Sequence, residues 1–309
     1  MTTRMHDDEL DLPVELVERL LADQQPQWAH LPVSRLASSG TDNAMFRLGD
    51  DLVVRMPRIH WASDTVDHEV RWLPQVDGLL PVTIPRVRAV GTPAAGYPWT
   101  WSVLTWVPGD NPVLGELGDA ENLARDLASL VRAIRALTLD GGRVKDGRLV
   151  DRDAQVRDDI VAVSDEIDAD AVTAIWEHAL ATAEWDGRRT WVHGDLAPGN
   201  LLLTDHRLTG LIDFAGIATG DPTLDLGVAW NLLPTAARAV FRDELDVDET
   251  TWTRARARAL AQALVQLPYY RDTNPVLAAN ARHVIREVTA AARGVRVDDA
   301  PGSGAPSNP

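Results

Sequence analysis

Apolar residues recur along this chain with two different spacings, and the change from one to the other divides it. Between Asp11 and Gln24, Val14, Val17, Leu20 and Leu21 fall on one face at helical spacing. That predicts an amphipathic helix with Asp11 as its cap and Pro13 in its first turn. Three strand-like pieces follow, about Val33 to Ser38, Ala44 to Leu48 and Leu52 to Met56. Gly49-Asp50-Asp51 makes a short hairpin between the last two, and Ser38 to Asn43 turns between the first two. Ser63 to Val76 returns to helical spacing, with Val66, Val70, Leu73 and Val76 on one side. Arg86 to Val90 and Trp99 to Val107 are further strands, and Val107-Pro108-Gly109-Asp110-Asn111-Pro112 then breaks the pattern.

Beyond the break the helical spacing dominates. Helices are expected over Glu116 to Leu137, Asp151 to Ile167, Asp170 to Glu184, Thr223 to Leu233, Thr250 to Leu267 and Pro275 to Ala292. One island of short apolar runs interrupts them: Thr190 to His193, Leu201 to Thr204 and Leu208 to Phe214. Val297 to Pro309, rich in Pro, Gly, Ser and Asp, is expected to be a disordered tail. The expected organisation is α+β in two lobes. Residues 1–107 form an antiparallel sheet with a helix, and residues 108–296 form a mostly helical lobe that precedes the tail at 297–309.

Composition narrows the function. At 309 residues and 45% hydrophobic, the chain can bury two moderate cores. It has no cysteine, which excludes disulfides, Cys-ligated zinc and a thiol nucleophile. The formal net charge is −16 and no basic cluster stands out, so nucleic acid is not an expected partner. An acidic surface suits a cationic small-molecule substrate, although acidity also serves solubility. Met1 to Leu10 is polar and acidic, without the basic start and apolar stretch of a signal peptide. No stretch approaches the roughly 18 apolar residues of a membrane span. The expectation is a cytoplasmic protein with no membrane partner; its oligomeric state leaves no mark in the sequence.

The strand island carries the chemistry. It reads His193-Gly194-Asp195-Leu196-Ala197-Pro198-Gly199-Asn200, then Leu211-Ile212-Asp213-Phe214. Phosphoryl transfer needs a group that orients the attacking hydroxyl and accepts its proton, and hard oxygen ligands for Mg²⁺ on a rigid frame. A hairpin of the two runs after Asn200 brings that residue alongside Asp213, so an amide oxygen and a carboxylate converge on one ion. Asp195 then projects toward the acceptor. Taken singly, each residue is an ordinary turn or cap residue; the signal is their joint order and register.

The segment resembles the catalytic loop and metal-binding turn of the protein-kinase-like superfamily. It is closer still to the aminoglycoside phosphotransferase family, whose loop reads His-Gly-Asp. The resemblance runs in order from about Val33 to about Ala290. It implies Asp195 as catalytic base, Asn200 and Asp213 as Mg²⁺ ligands, and ATP or GTP as co-substrate. It places Arg55 where kinases carry the lysine that holds the α- and β-phosphates, with Glu69 as its partner. Arginine there is a departure, since its guanidinium is bulkier and planar. Ser38, Ser39 and Gly40 would lie over the phosphates through hydroxyl and backbone N–H groups. Thr105, Trp106 and Val107 match the hinge that binds the purine through backbone groups. Asp225 would hold the catalytic loop, and His193 would brace it by hydrogen bonds.

The acceptor is expected to be a small molecule. Only 12 positions separate Asp213 from Asp225, too few for the long activation segment of protein kinases. From Asp151 to Asp186 there are eleven acidic residues and two arginines. In the family such acids receive a polyamine, while on composition alone they form a solvated face. Glu287, Trp252, Tyr269, Tyr270 and Asp272 are a second candidate lining. The family implies an antibiotic-resistance role. Choline-, sugar-, homoserine- and macrolide-type kinases share these motifs, and a nucleotide-binding module with little turnover is a further alternative. A metal hydrolase using His193, Asp195 and Asp213 has only one histidine to offer, thin for zinc.

Overall fold

The structure, a computed structural model, describes residues 9–36, 42–145 and 147–298, with side chains described through Ala291. Ser38, Ser39 and Gly40, and the expected tail from residue 299, lie outside the described residues.

In the first lobe, helix α1 (Val14–Gln24) precedes strands β1 (Val33–Arg35), β2 (Asn43–Leu48) and β3 (Leu52–Pro57). Helix α2 (Ser63–Val76) then leads to β4 (Val87–Gly91) and β5 (Trp101–Thr105). The strands form one antiparallel sheet in the order β1-β2-β3-β5-β4. β2 alternates half-buried and buried positions, whereas all six residues of β3 are buried. The difference follows from position: β3 is central and covered on both faces. α1 packs Val17, Leu20 and Leu21 against Phe46, Val54 and Trp101 on one face. α2 packs Trp72, Leu73 and Val76 against Val53 and Leu104 on the other. Gly91 is required beside Trp101, because a Cβ there would fall 1.9 Å from the indole ring.

The second lobe contains α3 (Ala120–Arg135), the two-residue strand β6 (Val144–Lys145), α4 (Asp153–Ala162) and α5 (Ala169–Ala181). Strands β7 (Thr190–Val192), β8 (Leu201–Thr204), β9 (Arg207–Leu211) and β10 (Ala218–Gly220) follow. Helices α6 (Val228–Asn231), α7 (Thr235–Glu244), α8 (Glu249–Tyr270) and α9 (Pro275–Asp298) complete it. β8 and β9 form the expected hairpin, and β10 lies between β6 and β7 in a second small sheet.

Several expectations are corrected. α1 begins only at Val14 with Pro13 in the cap position, so Asp11 caps nothing. The helix expected over Thr223 to Leu233 is broken into a 3-10 turn, Pro222–Asp225, and the short α6. Asp221 starts that turn by accepting the Thr223 N–H at 2.9 Å, and Asp225 is held elsewhere, as described below. α7, β6 and β10 were not expected. α9 continues through Asp298, two residues into the segment expected to be tail.

The elements divide near Val107, but the core does not. One continuous cluster runs from Val53, Leu104 and Trp72 into Leu127, Trp191, Phe214 and Leu264. Backbone hydrogen bonds also tie the lobes together. Thr83 donates to Thr209 O (2.8 Å) and accepts from Leu211 N–H (3.0 Å). Asp110, just past the break, exchanges two such bonds with Leu203, at 3.0 and 2.8 Å. The β8–β9 hairpin is thereby clamped on both sides. Among the described residues no helix is long and apolar enough to cross a membrane.

Candidate active site

β3 and α2 carry one half of the site. Arg55 sits at the centre of the sheet, paired in register with Met45 and Ser102, and is only 3% exposed. Its Nη1 donates to Glu69 Oε2 at 2.8 Å, and its Nη2 to Asp213 Oδ1 at 3.1 Å. Glu69 is 1% exposed, and its second oxygen accepts the Phe214 N–H at 3.0 Å. His68, one position earlier, bonds through Nε2 to Ile217 O at 2.8 Å. Two consecutive residues of α2 therefore grip the segment that follows Asp213. Burial works against the charge on Arg55, but Asp213 and Glu69 outweigh it and hold the guanidinium protonated, above its ordinary value.

The β8–β9 hairpin and its flanks carry the other half. Asp213 follows β9 with φ +62°, a left-handed conformation uncommon outside glycine. There its carboxylate faces Arg55 and accepts the Ala215 N–H at 3.4 Å. Burial raises the Asp213 pKa, but the charges of Arg55 and His193 and the hydrogen bonds from Arg55 and Ala215 together outweigh it, and the carboxyl lies below its ordinary value. Asn200 precedes β8. Its Nδ2 donates to Asp195 O and to Asp195 Oδ2, each at 2.9 Å. Asp195 itself is exposed. Partial desolvation and the nearby Asp213 charge raise its pKa.

The turn that presents Asp195 is fixed from beneath. Asp225, buried, accepts the N–H of His193 and of Gly194, each at 2.7 Å. The His193 ring is buried too, but neither ring nitrogen has a hydrogen-bond partner among the described residues. It meets the Phe214 ring edge-on at 5.0 Å instead. This corrects the expectation that His193 braces the loop by side-chain hydrogen bonds. Its backbone N–H makes the bond, and its ring acts by packing.

In the expected hinge, two of the three N–H groups are already paired. The Thr105 N–H donates to Arg86 O at 2.9 Å and the Trp106 N–H to Asp51 O at 2.7 Å. Those two N–H groups are therefore engaged within the fold. Of the three hinge residues, Val107 is left as the N–H donor. The Trp106 ring lies under the Arg47 guanidinium, 3.8 Å from its centroid.

The acidic segment is largely engaged. Asp151 caps the turn at Arg148, Asp153 binds Arg157 and the Trp176 indole N–H, and Asp168 caps α5. Glu166 pairs with Arg271 and Arg282, Glu177 with Arg157, Glu184 with Arg148 and Asp186 with Arg188. These contacts fix local structure and do not leave a wall of free carboxylates. In the second candidate lining, Glu287 pairs with Arg238, and Trp252 packs on Trp230 at 4.6 Å.

Three positions near the site were not singled out in the sequence. Asn111, in the break between lobes, donates through Nδ2 to Gly199 O (3.0 Å) and Leu201 O (2.8 Å), which holds the turn bearing Asn200. Its only signal is its place beside Pro-Gly-Asp. His68 adjoins Glu69, and its partner Ile217 lies 149 positions away. Lys145 contacts the Asp195 turn from β6.

The donor set suits a hard divalent cation. The Asp213 carboxylate and Asn200 Oδ1 are oxygen donors, and the Asn200 amide nitrogen is occupied by Asp195. Among the described residues no group of three or more His, Cys, Asp or Glu side chains could hold a metal. An amide oxygen and one carboxylate would give such a cation two protein ligands, leaving the rest of its shell to phosphates and water.

A sequence model of the phosphotransferase enzyme family matches residues 33–260. The chain belongs to that family. An aminoglycoside 3'-phosphotransferase of Salmonella typhimurium is 25% identical over 214 residues, covering 62% of this chain and 75% of the relative. A solved GDP complex of an aminoglycoside 2'-phosphotransferase superposes with a TM-score of 0.72 at 18% identity, covering 91% of this chain and all of that one. A macrolide 2'-phosphotransferase superposes with a TM-score of 0.62 at 19% identity, covering 88% and 97%. At such identities the structural likeness establishes the two-lobed kinase-like fold, and the family match carries the activity class.

Proposed function

We propose that this phosphotransferase moves the γ-phosphoryl group of ATP or GTP to a hydroxyl of a small molecule, with an aminoglycoside-type antibiotic as the first candidate acceptor. One observation carries the site assignment: Arg55 of the first lobe, held by Glu69, reaches Asp213 of the second, beside a turn on which Asn200 orients Asp195. Arg55 would bind the α- and β-phosphates with its charge assured by its two carboxylate neighbours. Asn200 and Asp213 would hold Mg²⁺, which supplies charge neutralisation at the phosphates when bound. Asp195 would align the acceptor hydroxyl and take its proton. The exposure of its carboxylate and its raised pKa suit that role. Catalysis would rest on positioning and on fixed charge.

The relatives named above support an aminoglycoside acceptor. A second reading, a less cationic hydroxylated acceptor such as a macrolide, is favoured by the engagement of the Asp151–Asp186 acids in caps and ion pairs.

The test is incubation of purified protein with Mg²⁺, ATP or GTP, and a panel of aminoglycosides, macrolides and hydroxylated amines, read by mass spectrometry for an added phosphate. An aminoglycoside product supports the first reading, and a macrolide product the second. Asp195→Asn is expected to bind nucleotide and lose most turnover; full activity in that variant would remove Asp195 from the mechanism.

A further inference from the structure

The turn from His193 to Asp195 is held by three side chains. Asp225 takes the N–H groups of His193 and Gly194 from the buried side. Asn200 binds the Asp195 carbonyl. The Gly194 carbonyl is taken by Lys145, whose Nζ donates to it at 2.8 Å. Lys145 is the only lysine in the 309-residue chain. It is exposed, and it reaches the turn from β6, which is placed there by parallel pairing of Lys145 with Gly220 on β10.

The geometry gives this contact a specific consequence. The Gly194 carbonyl and the Asp195 N–H belong to one rigid peptide plane. Gly194 has φ +79°, so the plane enters Asp195 from a left-handed turn. A Cβ on Gly194 would lie 2.6 Å from Gly216 O and 3.1 Å from the Lys145 ammonium. The lysine therefore sits directly over the glycine on a crowded face, where a compact ammonium fits better than a planar guanidinium. It also stands close enough to Asp195 to oppose the rise in that carboxyl's pKa. Arg55 serves the nucleotide side of Asp213, whereas Lys145 lies beside the residue expected to face the acceptor.

We infer that Lys145 is a positioning residue for phosphoryl transfer, setting the peptide plane from which Asp195 addresses the acceptor hydroxyl. The inference rests on the reading of Asp195 given above. A misplaced reacting group costs rate without weakening nucleotide binding, because the nucleotide is gripped from the other lobe.

The experiment uses the full-length chain with Lys145→Met and Lys145→Arg. Turnover is read both as nucleotide hydrolysis to water and as phosphorylation of whichever panel acceptor reacts. The Met variant is expected to lose about 10- to 100-fold in kcat, with unchanged melting temperature and nucleotide KM, and the Arg variant to recover part of the loss. Acetylation with an amine-directed reagent gives an independent readout, since the side-chain target is unique. Wild-type turnover should fall in step with Lys145 modification, and Lys145→Arg should resist the reagent. A Met variant with wild-type kcat, or one whose loss lies in nucleotide KM or melting temperature, overturns the inference and leaves the kinase reading standing. A wild-type protein that neither hydrolyses nucleotide nor phosphorylates any acceptor overturns both.

Discussion

Glu69→Ala removes one carboxylate that two distant parts of the chain share. Arg55 loses the partner of its Nη1, and the Phe214 N–H loses its acceptor. Both losses fall in dry surroundings, with Glu69 1% and Arg55 3% exposed. Breaking a buried ion pair by deleting one member costs about 3–5 kcal/mol. Arg55 keeps Asp213, whose side chain is 38% exposed, so the lower end of that range applies to the pair. The orphaned N–H adds about 1–3 kcal/mol, and the whole change is expected at about 4–6 kcal/mol. Glu69→Gln retains an acceptor for Phe214 and removes only the charge, so it should cost about half as much. Arg55→Met combined with Glu69→Leu removes both charges, and should be more stable than Glu69→Ala alone although inactive. Urea unfolding with a shared slope measures all three. A Glu69→Ala shift below about 1 kcal/mol, or a double variant no better than the single, would refute the claim that this buried carboxylate holds both Arg55 and the Phe214 segment in place.

Other outcomes follow from the same contacts. Asp225→Ala leaves two backbone N–H groups without their acceptor and should cost about 2–4 kcal/mol, with kcat falling more than nucleotide affinity; steady-state kinetics and unfolding curves check this. Gly194→Ala forces a side chain into a left-handed turn and against Gly216 O. It should lose activity steeply while nucleotide binding, measured by calorimetry, persists. His68 is buried and its pKa is lowered, chiefly by desolvation. The neutral ring therefore contributes stability that is present above about pH 6.5 and is lost as pH falls through the lower folded value. Unfolding free energy should drop further between pH 7 and 5 in wild type than in His68→Gln; equal slopes would show that His68 does not titrate with unfolding.

The site was legible in the sequence where its residues are close together. Asn200 and Asp213 flank a hairpin whose apolar runs and polar turn are plain, and α2 was bounded correctly because Val66, Leu73 and Val76 keep strict helical spacing. α7 escaped because a buried arginine, Arg238, occupies its core face beside Ala237 and Phe241. It satisfies itself on Ala229 O and Leu233 O, contacts that no apolar pattern encodes. β6 and β10 are two and three residues long, with lysine and glycine in place of strand formers, and only pairing makes them strands. His193 was expected to hydrogen-bond because histidines usually do; its ring met Phe214 instead, 21 positions on. Which hinge N–H groups are already paired was not legible, because whether Arg86 O or Asp51 O accepts a given N–H depends on register, which the residue types do not state.

The continuous core beneath α2 has a consequence for control. Trp72 of α2 packs edge-on against Trp191 of β7 at 4.9 Å, both nearly inaccessible to solvent, while His68 and Glu69 hold the segment beyond Asp213. Swinging this helix outward, the usual way a kinase is switched off, would strip two indoles apart and strand a buried ion pair at once. The packing therefore opposes that motion: an outward swing of α2 would have to break into the core and undo the supports of the site together.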